Sequence, residues 1–247
     1  ITGSTDGIGY EAAKALVSKG HSVLIHGRST EKLERVRAEL SGMGGGTVKA
    51  FRADLTDMTQ VVALADAVKA EVASLDVLIN NAGILKSPVE RTAAGLDIRF
   101  AVNTLAPALL TKHLLPIIGE GGRVLDLSSA AQAPVSLAAM AGEGQLAPMD
   151  AYSQSKLALT MWSAVAAKDH ASGPVFISIN PGSLLATKMV QEGFGIAGND
   201  IGIGSGILVR ASLDDAFSTR SGQYFDNDAG DFGPPHADAT LSGIARQ

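Results

Sequence analysis

The chain has 247 residues, 46% hydrophobic and 18% charged, enough apolar material for one large α/β domain with a substantial core and not the composition of a disordered chain. Its 20 Lys and Arg against 25 Asp and Glu leave a net charge of -5 with the basic residues scattered, which excludes an electrostatic footprint for nucleic acid or anionic lipid and leaves small molecules as the expected partners. Cysteine is absent, so disulfides, thiolate metal sites and thiol catalysis are excluded. With no apolar run near the roughly 20 residues of a bilayer span and no signal-peptide pattern, the chain reads as cytoplasmic.

Short apolar or β-branched runs alternate with longer helical patterns, the mark of βαβ units and a parallel sheet. Strands are expected at 22–26, 48–52, 77–79, 123–127, 175–179 and 223–225, and helices at 7–19, 30–40, 58–74, 95–115, 152–168 and 204–213. No linker or repeat divides them, so residues 1–247 are read as one domain, and the tail 226–247 as irregular. A strand should precede the first glycine turn, yet only Ile1 and Thr2 do, so the chain is expected to start inside its first strand, with further residues upstream in the natural protein.

That turn reads TGSTDGIG. Glycines at 3, 7 and 9 let the backbone approach a pyrophosphate while the following helix offers free amides and its positive dipole end. Gly3, Ser4, Thr5, Gly7, Ile8 and Gly9 are therefore candidate cofactor contacts, although a plain strand-to-helix turn would also use glycine. In dinucleotide folds an acid about 20 residues later meets the ribose 2′-hydroxyl, and an arginine accommodates a 2′-phosphate. Here His26 and Gly27 stand where the acid would be, and Arg28 follows, so NADP(H) is favoured, with NAD possible; an ordinary surface arginine is the alternative. Asp54 and Leu55 in ADLTD, and Asn81, Ala82 and Gly83 in NNAG, sit where strands end and ligands bind in open α/β sheets. Asp54 could accept from the adenine amine or simply cap the next helix. Asn81, Ala82 and Gly83 would wall the adenosine ribose, with Asn81 able to bond backbone between strands.

Further on, AYSQSKLALTMW places Tyr152 and Lys156 four residues apart, one above the other on a single helix face. Together, TGSTDGIG, NNAG and YSQSK, in this order, resemble the short-chain dehydrogenase/reductase family in its single-domain form, over essentially the whole chain. The resemblance implies a doubly wound Rossmann-like parallel sheet of about seven strands with helices on both faces, and a catalytic group of Asn103, Ser129, Tyr152 and Lys156. A free phenol has a pKa of about 10, and bringing it near neutrality takes roughly 4 kcal/mol of differential stabilisation, which Lys156 and an oxidised nicotinamide would supply. Lys156 would also bond the nicotinamide ribose.

In RVLDLSSAA the resemblance gives Ser129 the substrate oxygen, with Ser128 as competitor. Asn103 would perturb its helix and hold a water linking Lys156 to solvent; a buried asparagine satisfied by neighbouring backbone is the plain alternative. Ser129 and Tyr152 are separated by a loop, 130–149, resembling that of retinol-dehydrogenase-like members. After the strand at 175–179, Pro181 and Gly182 would turn beside the nicotinamide, Ile179 or a following amide would meet the carboxamide, and Thr187 would bond the carboxamide or a phosphate; Asn180 and Ser183 are reserves.

His21, His26, His113, His170 and His236 show no metal-ligand spacing, so no metal is expected. Leu157, Leu159, Met161, Trp162 and Val165 make the helix after Tyr152 apolar nearly all round. A homodimer or homotetramer built on it and on the Asn103 helix follows, which a monomeric mass by light scattering at micromolar concentration would reject. The expected activity is hydride transfer between NADP(H) and a carbonyl or alcohol in a pocket walled by Pro134, Val135, Leu137, Met140, Leu184, Met189 and Phe194. A non-catalytic NADP(H) sensor is the alternative, and an epimerase or dehydratase lacks the expected glycine spacing and substrate domain.

Overall fold

A computed structural model describes residues 1–235. In chain order the regular elements are α1 (Gly7–Ser18), β1 (Val23–Gly27), α2 (Thr30–Ser41), β2 (Val48–Arg52), α3 (Met58–Glu71), β3 (Val77–Asn80) and α4 (Ile98–Phe100). There follow α5 (Ala106–Leu114), β4 (Arg123–Leu127), α6 (Leu137–Met140), α7 (Pro148–Asp169) and β5 (Val175–Asn180). The last are α8 (Lys188–Phe194), α9 (Ile201–Leu213), β6 (Gln223–Asp226) and β7 (Asp231–Gly233).

β1 pairs with β2 in parallel, and β3, β4, β5 and β6 form a second parallel ladder. Residues 1–4 join the two: the amino group of Ile1 and the amide of Ser4 donate to Leu24 O and His26 O, and the amide of Thr2 donates to Ile79 O, all at 2.9 Å. Amides donating alternately to either side are those of a strand lying between β1 and β3, so the first glycine turn leaves the middle of the sheet. Parallel strands need crossovers, and the helices supply them on both faces, giving the doubly wound architecture.

Period-two alternation assigns the faces. Leu125, Leu127, Ile177 and Ile179 point to the core shared with α1, α2 and α9, and Leu78, Val124 and Phe176 to the core shared with α3, α5 and α7. Asn80, Asp126 and Ser178, in register across β3, β4 and β5, point to this second face and are all buried.

Several expected elements shift. The helix expected over 95–115 starts at Ile98 and widens to a π turn at Ala101–Leu105 before α5. The helix of Tyr152 begins a turn early, at Pro148, whose fixed φ and missing amide suit a first position. α3 stops at Glu71 because Val72 is extended, and α9 starts at Ile201, capped by Asp200. The short α6 and α8, capped by Ser136 and Thr187, were not legible as periodic patterns. The tail is not irregular throughout: Asp231–Gly233 returns antiparallel to β6, so the sheet is parallel except at this edge, and Phe232 packs on Phe217 and Phe225. Residues 236–247, His236 among them, lie outside the described residues.

Candidate active site

The glycine turn is tight: Gly3 and Gly7 have φ of 62° and 61°, which side chains disfavour. Gly9 is helical, but a methyl group there would come within 2.3 Å of Asn81 Nδ2 and 2.7 Å of Gly3 O. The amides of Ile8 and Gly9 have no backbone partner among the described residues. They lie in the first turn of α1, a helix of 12 residues, where free N–H groups and the dipole favour an anion. Asp6 caps that helix, accepting from Gly7 N at 2.9 Å. The Ser4 hydroxyl is buried, donates to Ile1 O and accepts from His26 N, both at 2.9 Å, so its side chain is spent inside the sheet and its backbone is what remains for a cofactor.

His26 is structural in a way its sequence position did not reveal. Gly3 N donates to Nδ1 at 3.1 Å and Nε2 lies 3.2 Å from Ala53 O, a pairing that assigns the proton to Nε2 and ties the turn to the end of β2. Burial lowers its pKa from 6.5 to about 4. The folded state thus resists the imidazolium, so the unfolded chain takes up the extra proton. The stability present above pH 6.5 is lost as pH falls toward 4, by up to about 3 kcal/mol. The denaturant midpoint is expected to drop more between pH 7 and 4.5 in the wild type than in His26→Gln, which has no proton to gain; equal drops would contradict this account.

At the β1 end, Arg28 is exposed and its side chain makes no bond among the described residues, while Arg52 Nε donates to its carbonyl at 3.1 Å. Two guanidinium groups therefore flank one corner of the cleft. Lys32 Nζ, from α2, lies 3.7 Å from Asp6. Asp54 does not cap the next helix; Asp57 does, accepting from Thr59 N, while Asp54 Oδ1 closes a turn onto Thr56. Leu55 is buried in the core, which leaves its backbone to face a ligand.

NNAG ties the end of β3 to the glycine turn. Asn81 Nδ2 donates to Thr2 O at 2.8 Å and to Gly3 O at 3.0 Å, bonding backbone across strands, and Ala82 N donates to Thr2 Oγ1. Gly83 has a sharper requirement. A methyl there would lie 3.2 Å from Lys156 Nζ, 3.5 Å from Asn103 Oδ1 and 3.8 Å from Met189 Cε, so the chain passes directly over the lysine head.

Asn103 sits within the π turn, as an intrinsically poor helix residue that distorts its helix. Its Oδ1 accepts from Ile84 N at 2.8 Å, and Nδ2 donates to Ile84 O and Ser155 Oγ, both at 3.0 Å. The plain alternative of a satisfied asparagine is therefore what the side chain displays, with Oδ1 keeping one lone pair on the side of Lys156. Ser155 Oγ donates on to Tyr152 O and Thr104 Oγ1 donates to Ser155 O, docking α7 on the π turn.

Of the two serines after β4, Ser128 is buried and bonded to Thr160 Oγ1 at 2.7 Å and Lys156 O at 3.2 Å. Ser129 Oγ accepts from Ala131 N and is the hydroxyl beside the Tyr152 phenol. Tyr152 is 9% and Lys156 3% exposed. Burial raises the phenol, and the Ser129 hydroxyl works against it. Lys156 Nζ donates to Leu127 O at 2.6 Å and lies 5.7 Å from the Tyr152 ring centre. Burial lowers the ammonium to about 8, opposed by Asp126. Lys156 was expected to acidify the phenol together with an oxidised nicotinamide; in the protein alone the ammonium is bonded to Leu127 O and burial acts against phenolate. Beyond β5, Gly182 has φ of 118°, and Asn180, Ser183 and Asp228 hold the Pro181–Gly182 turn, Asp228 accepting from Asn180 Nδ2 and Ser183 N. Thr187 caps α8 through its hydroxyl, and its methyl is the neighbour a side chain at Gly7 would meet, at 3.9 Å, which puts it by the glycine turn.

The short chain dehydrogenase family profile matches residues 1–194. The chain belongs to the short-chain dehydrogenase/reductase family. Its relatives include human retinol dehydrogenase 11, 34% identical over 200 residues, which are 78% of this chain and 63% of that protein. Human polyprenol dehydrogenase is 34% identical over 172 residues, 66% of this chain and 52% of its own length. The chain therefore spans less than two thirds of either. A short chain dehydrogenase of Shigella flexneri complexed with NADP superposes with a TM-score of 0.74 at 26% identity, over 92% of this chain and 95% of that one.

Within that family fold, the motif residues converge as the sequence placed them, but their supports were not legible. His26 and Tyr224, whose phenol donates to Ser129 O at 3.1 Å, act through distant backbone, and Ser155 links the Asn103 amide to Tyr152 O; none carries a spacing signal. No group of three or more metal-ligating side chains occurs among the described residues.

Proposed function

We propose that this chain is an NADP(H)-dependent oxidoreductase interconverting a carbonyl and an alcohol. The observation that carries the reading is the buried Tyr152 phenol, with the Ser129 hydroxyl beside it and Lys156 on the same helix face under Gly83. The cradle fits a dinucleotide: free amides at Ile8 and Gly9, the backbone-only wall at Gly83, and Arg28 beside Arg52. NADP named with the Shigella neighbour, and NADPH with an Escherichia coli one, support the same cofactor. Bound NADPH supplies the hydride.

The chain's own residues do the rest. Ser129 donates to the substrate oxygen and stabilises the charge growing there. Tyr152 gives that oxygen its proton, and Lys156 is placed to bond the ribose and to offset the phenolate left behind. Asn103 Oδ1, 3.5 Å from the same point above Gly83 that lies 3.2 Å from Lys156 Nζ, is placed to share a water with the ammonium. Exposed Leu137, Met149, Leu184, Phe194 and Ile196 on the segments after β4 and β5 favour an apolar substrate, in keeping with the polyprenol and retinol named for the relatives. No described helix is long and apolar enough to cross a membrane.

The test is NADPH oxidation against a panel of apolar aldehydes and ketones. Cofactor binding with no turnover on any member would favour the sensor reading instead. Arg28→Leu is expected to raise KM for NADPH about tenfold or more and leave that for NADH nearly unchanged, since a charged hydrogen bond to phosphate contributes about 1.5–3 kcal/mol. A variant with the same KM for both as the parent would remove Arg28 from the 2′-phosphate site. A groove of about 560 Å³ walled by Leu105, Leu109, Leu115, Trp162 and Val165 lies between α5 and α7, and supports self-association through those helices.

A further inference from the structure

Asp126 is a carboxylate with no exposure and no part in the proposed chemistry. It lies on β4, one residue before the Leu127 carbonyl that binds Lys156 Nζ. Its Oδ1 accepts from Asn80 Nδ2 at 2.8 Å, and the same amide donates to Thr111 Oγ1 at 3.0 Å. The surrounding polar atoms are incompletely paired. Ser163 Oγ, on α7, is near enough to help hold the charge, yet neither it nor Asp126 Oδ2 completes a hydrogen bond of normal geometry. Asn80 Oδ1 and Ser178 Oγ, beside Asp126 on β3 and β5, are also buried without partners among the described residues.

A buried charge costs several kcal/mol unless compensated, and one good hydrogen bond does not compensate it. The carboxyl must therefore be neutral or have a cation. The groups beside it are Asn80 from β3, Ser178 from β5 and Ser163 from α7, and the charge that bears on it is the Lys156 ammonium, also on α7, bonded to the carbonyl of the next residue, Leu127. Lys156 in turn faces Tyr152, Gly83, Asn103, Met189 and Leu127 O, none of which carries a negative charge at neutral pH.

We propose that Asp126 is a positioning residue: the buried counter-charge that holds Lys156 as an ammonium beneath the Tyr152 phenol. This rests on the reductase reading for its purpose, but the charge coupling is independent of turnover. It also accounts for a lysine head kept with a single hydrogen-bond acceptor in the interior. Burial raises Asp126 to about 6 and lowers Lys156 to about 8, so both are charged between those values. Rate should fall above about 8 as the ammonium is lost, whereas protonation of Asp126 below about 6 leaves Lys156 charged.

The test is Asp126→Asn, which keeps the shape and an oxygen for Asn80. A lysine 13Cε NMR titration of the folded protein, with the Lys156 signal assigned by its loss in Lys156→Met, is expected to show the Lys156 midpoint falling by about 1 pH unit or more. The alkaline limb of kcat/KM against pH should move down with it. An unchanged midpoint overturns the proposal, whatever the activity. Coupling is reciprocal, so the 13Cγ midpoint of Asp126 should rise in Lys156→Met; this decides the question if Asp126→Asn does not fold, and an unmoved midpoint again overturns it. A wild type that turns over no carbonyl, with both midpoints coupled as stated, removes the reductase reading and leaves the counter-charge standing.

Discussion

Tyr152→Phe is expected to lower kcat for NADPH-dependent carbonyl reduction by about 10²–10⁴, the usual contribution of a positioned general acid, while leaving folding and NADPH affinity close to the parent. The substitution deletes one oxygen from a ring that is otherwise buried, so the ring's packing persists. What disappears is the proton donor beside Ser129. The loss corresponds to about 3–5 kcal/mol of transition-state stabilisation, far more than a partly satisfied hydroxyl contributes to folding. Steady-state kinetics on the best substrate of the panel, beside a fluorescence titration with NADPH, separates the two effects. Equal rates in parent and variant would remove Tyr152 from the chemistry and with it the proposed mechanism.

The parts of this molecule legible in its sequence are those where chemistry constrains a local run. The glycine turn, NNAG and Tyr152 with Lys156 each need particular residues within a few positions, and alternating strand and helix patterns located all the long elements. Two kinds of feature escaped. One depends on contacts across the sheet: nothing near Ser4 in sequence shows that β1 presents His26 N, and the chain its own Ile1 O, to its hydroxyl. The other is local geometry set by tertiary packing. The π turn at Ala101–Leu105 follows from Asn103 bonding Ile84 and Ser155, neither near it in sequence, and the edge strand Asp231–Gly233 forms because Phe232 has Phe217 and Phe225 to cover. Electrostatics was legible in outline only. Opposite charges at Tyr152 and Lys156 were anticipated, whereas burial turned out to oppose both, and the carboxylate that offsets this for Lys156 lies in a strand that reads as plain core.

Gly9→Ala and Gly206→Ala make a matched pair in which identical chemistry should have opposite results. Both glycines are helical, in α1 and α9, and alanine gains about 1 kcal/mol of helix propensity at either. At Gly206 a methyl meets nothing within 4 Å, so the gain stands and the variant should be as stable as the parent or slightly more so. At Gly9 the methyl would overlap Asn81 Nδ2, which is already held between Thr2 O and Gly3 O. Overpacking costs about 1–3 kcal/mol, and displacing the amide forfeits two hydrogen bonds of about 1 kcal/mol each, so loss exceeds gain by roughly 2–4 kcal/mol. The same displacement pushes the glycine turn away from the amides of Ile8 and Gly9, and NADPH affinity should fall with stability. Thermal unfolding and NADPH titration of both variants check this. If Gly9→Ala unfolds with Gly206→Ala and binds NADPH as tightly, the close approach of α1 to Asn81 is not what shapes the cofactor cradle.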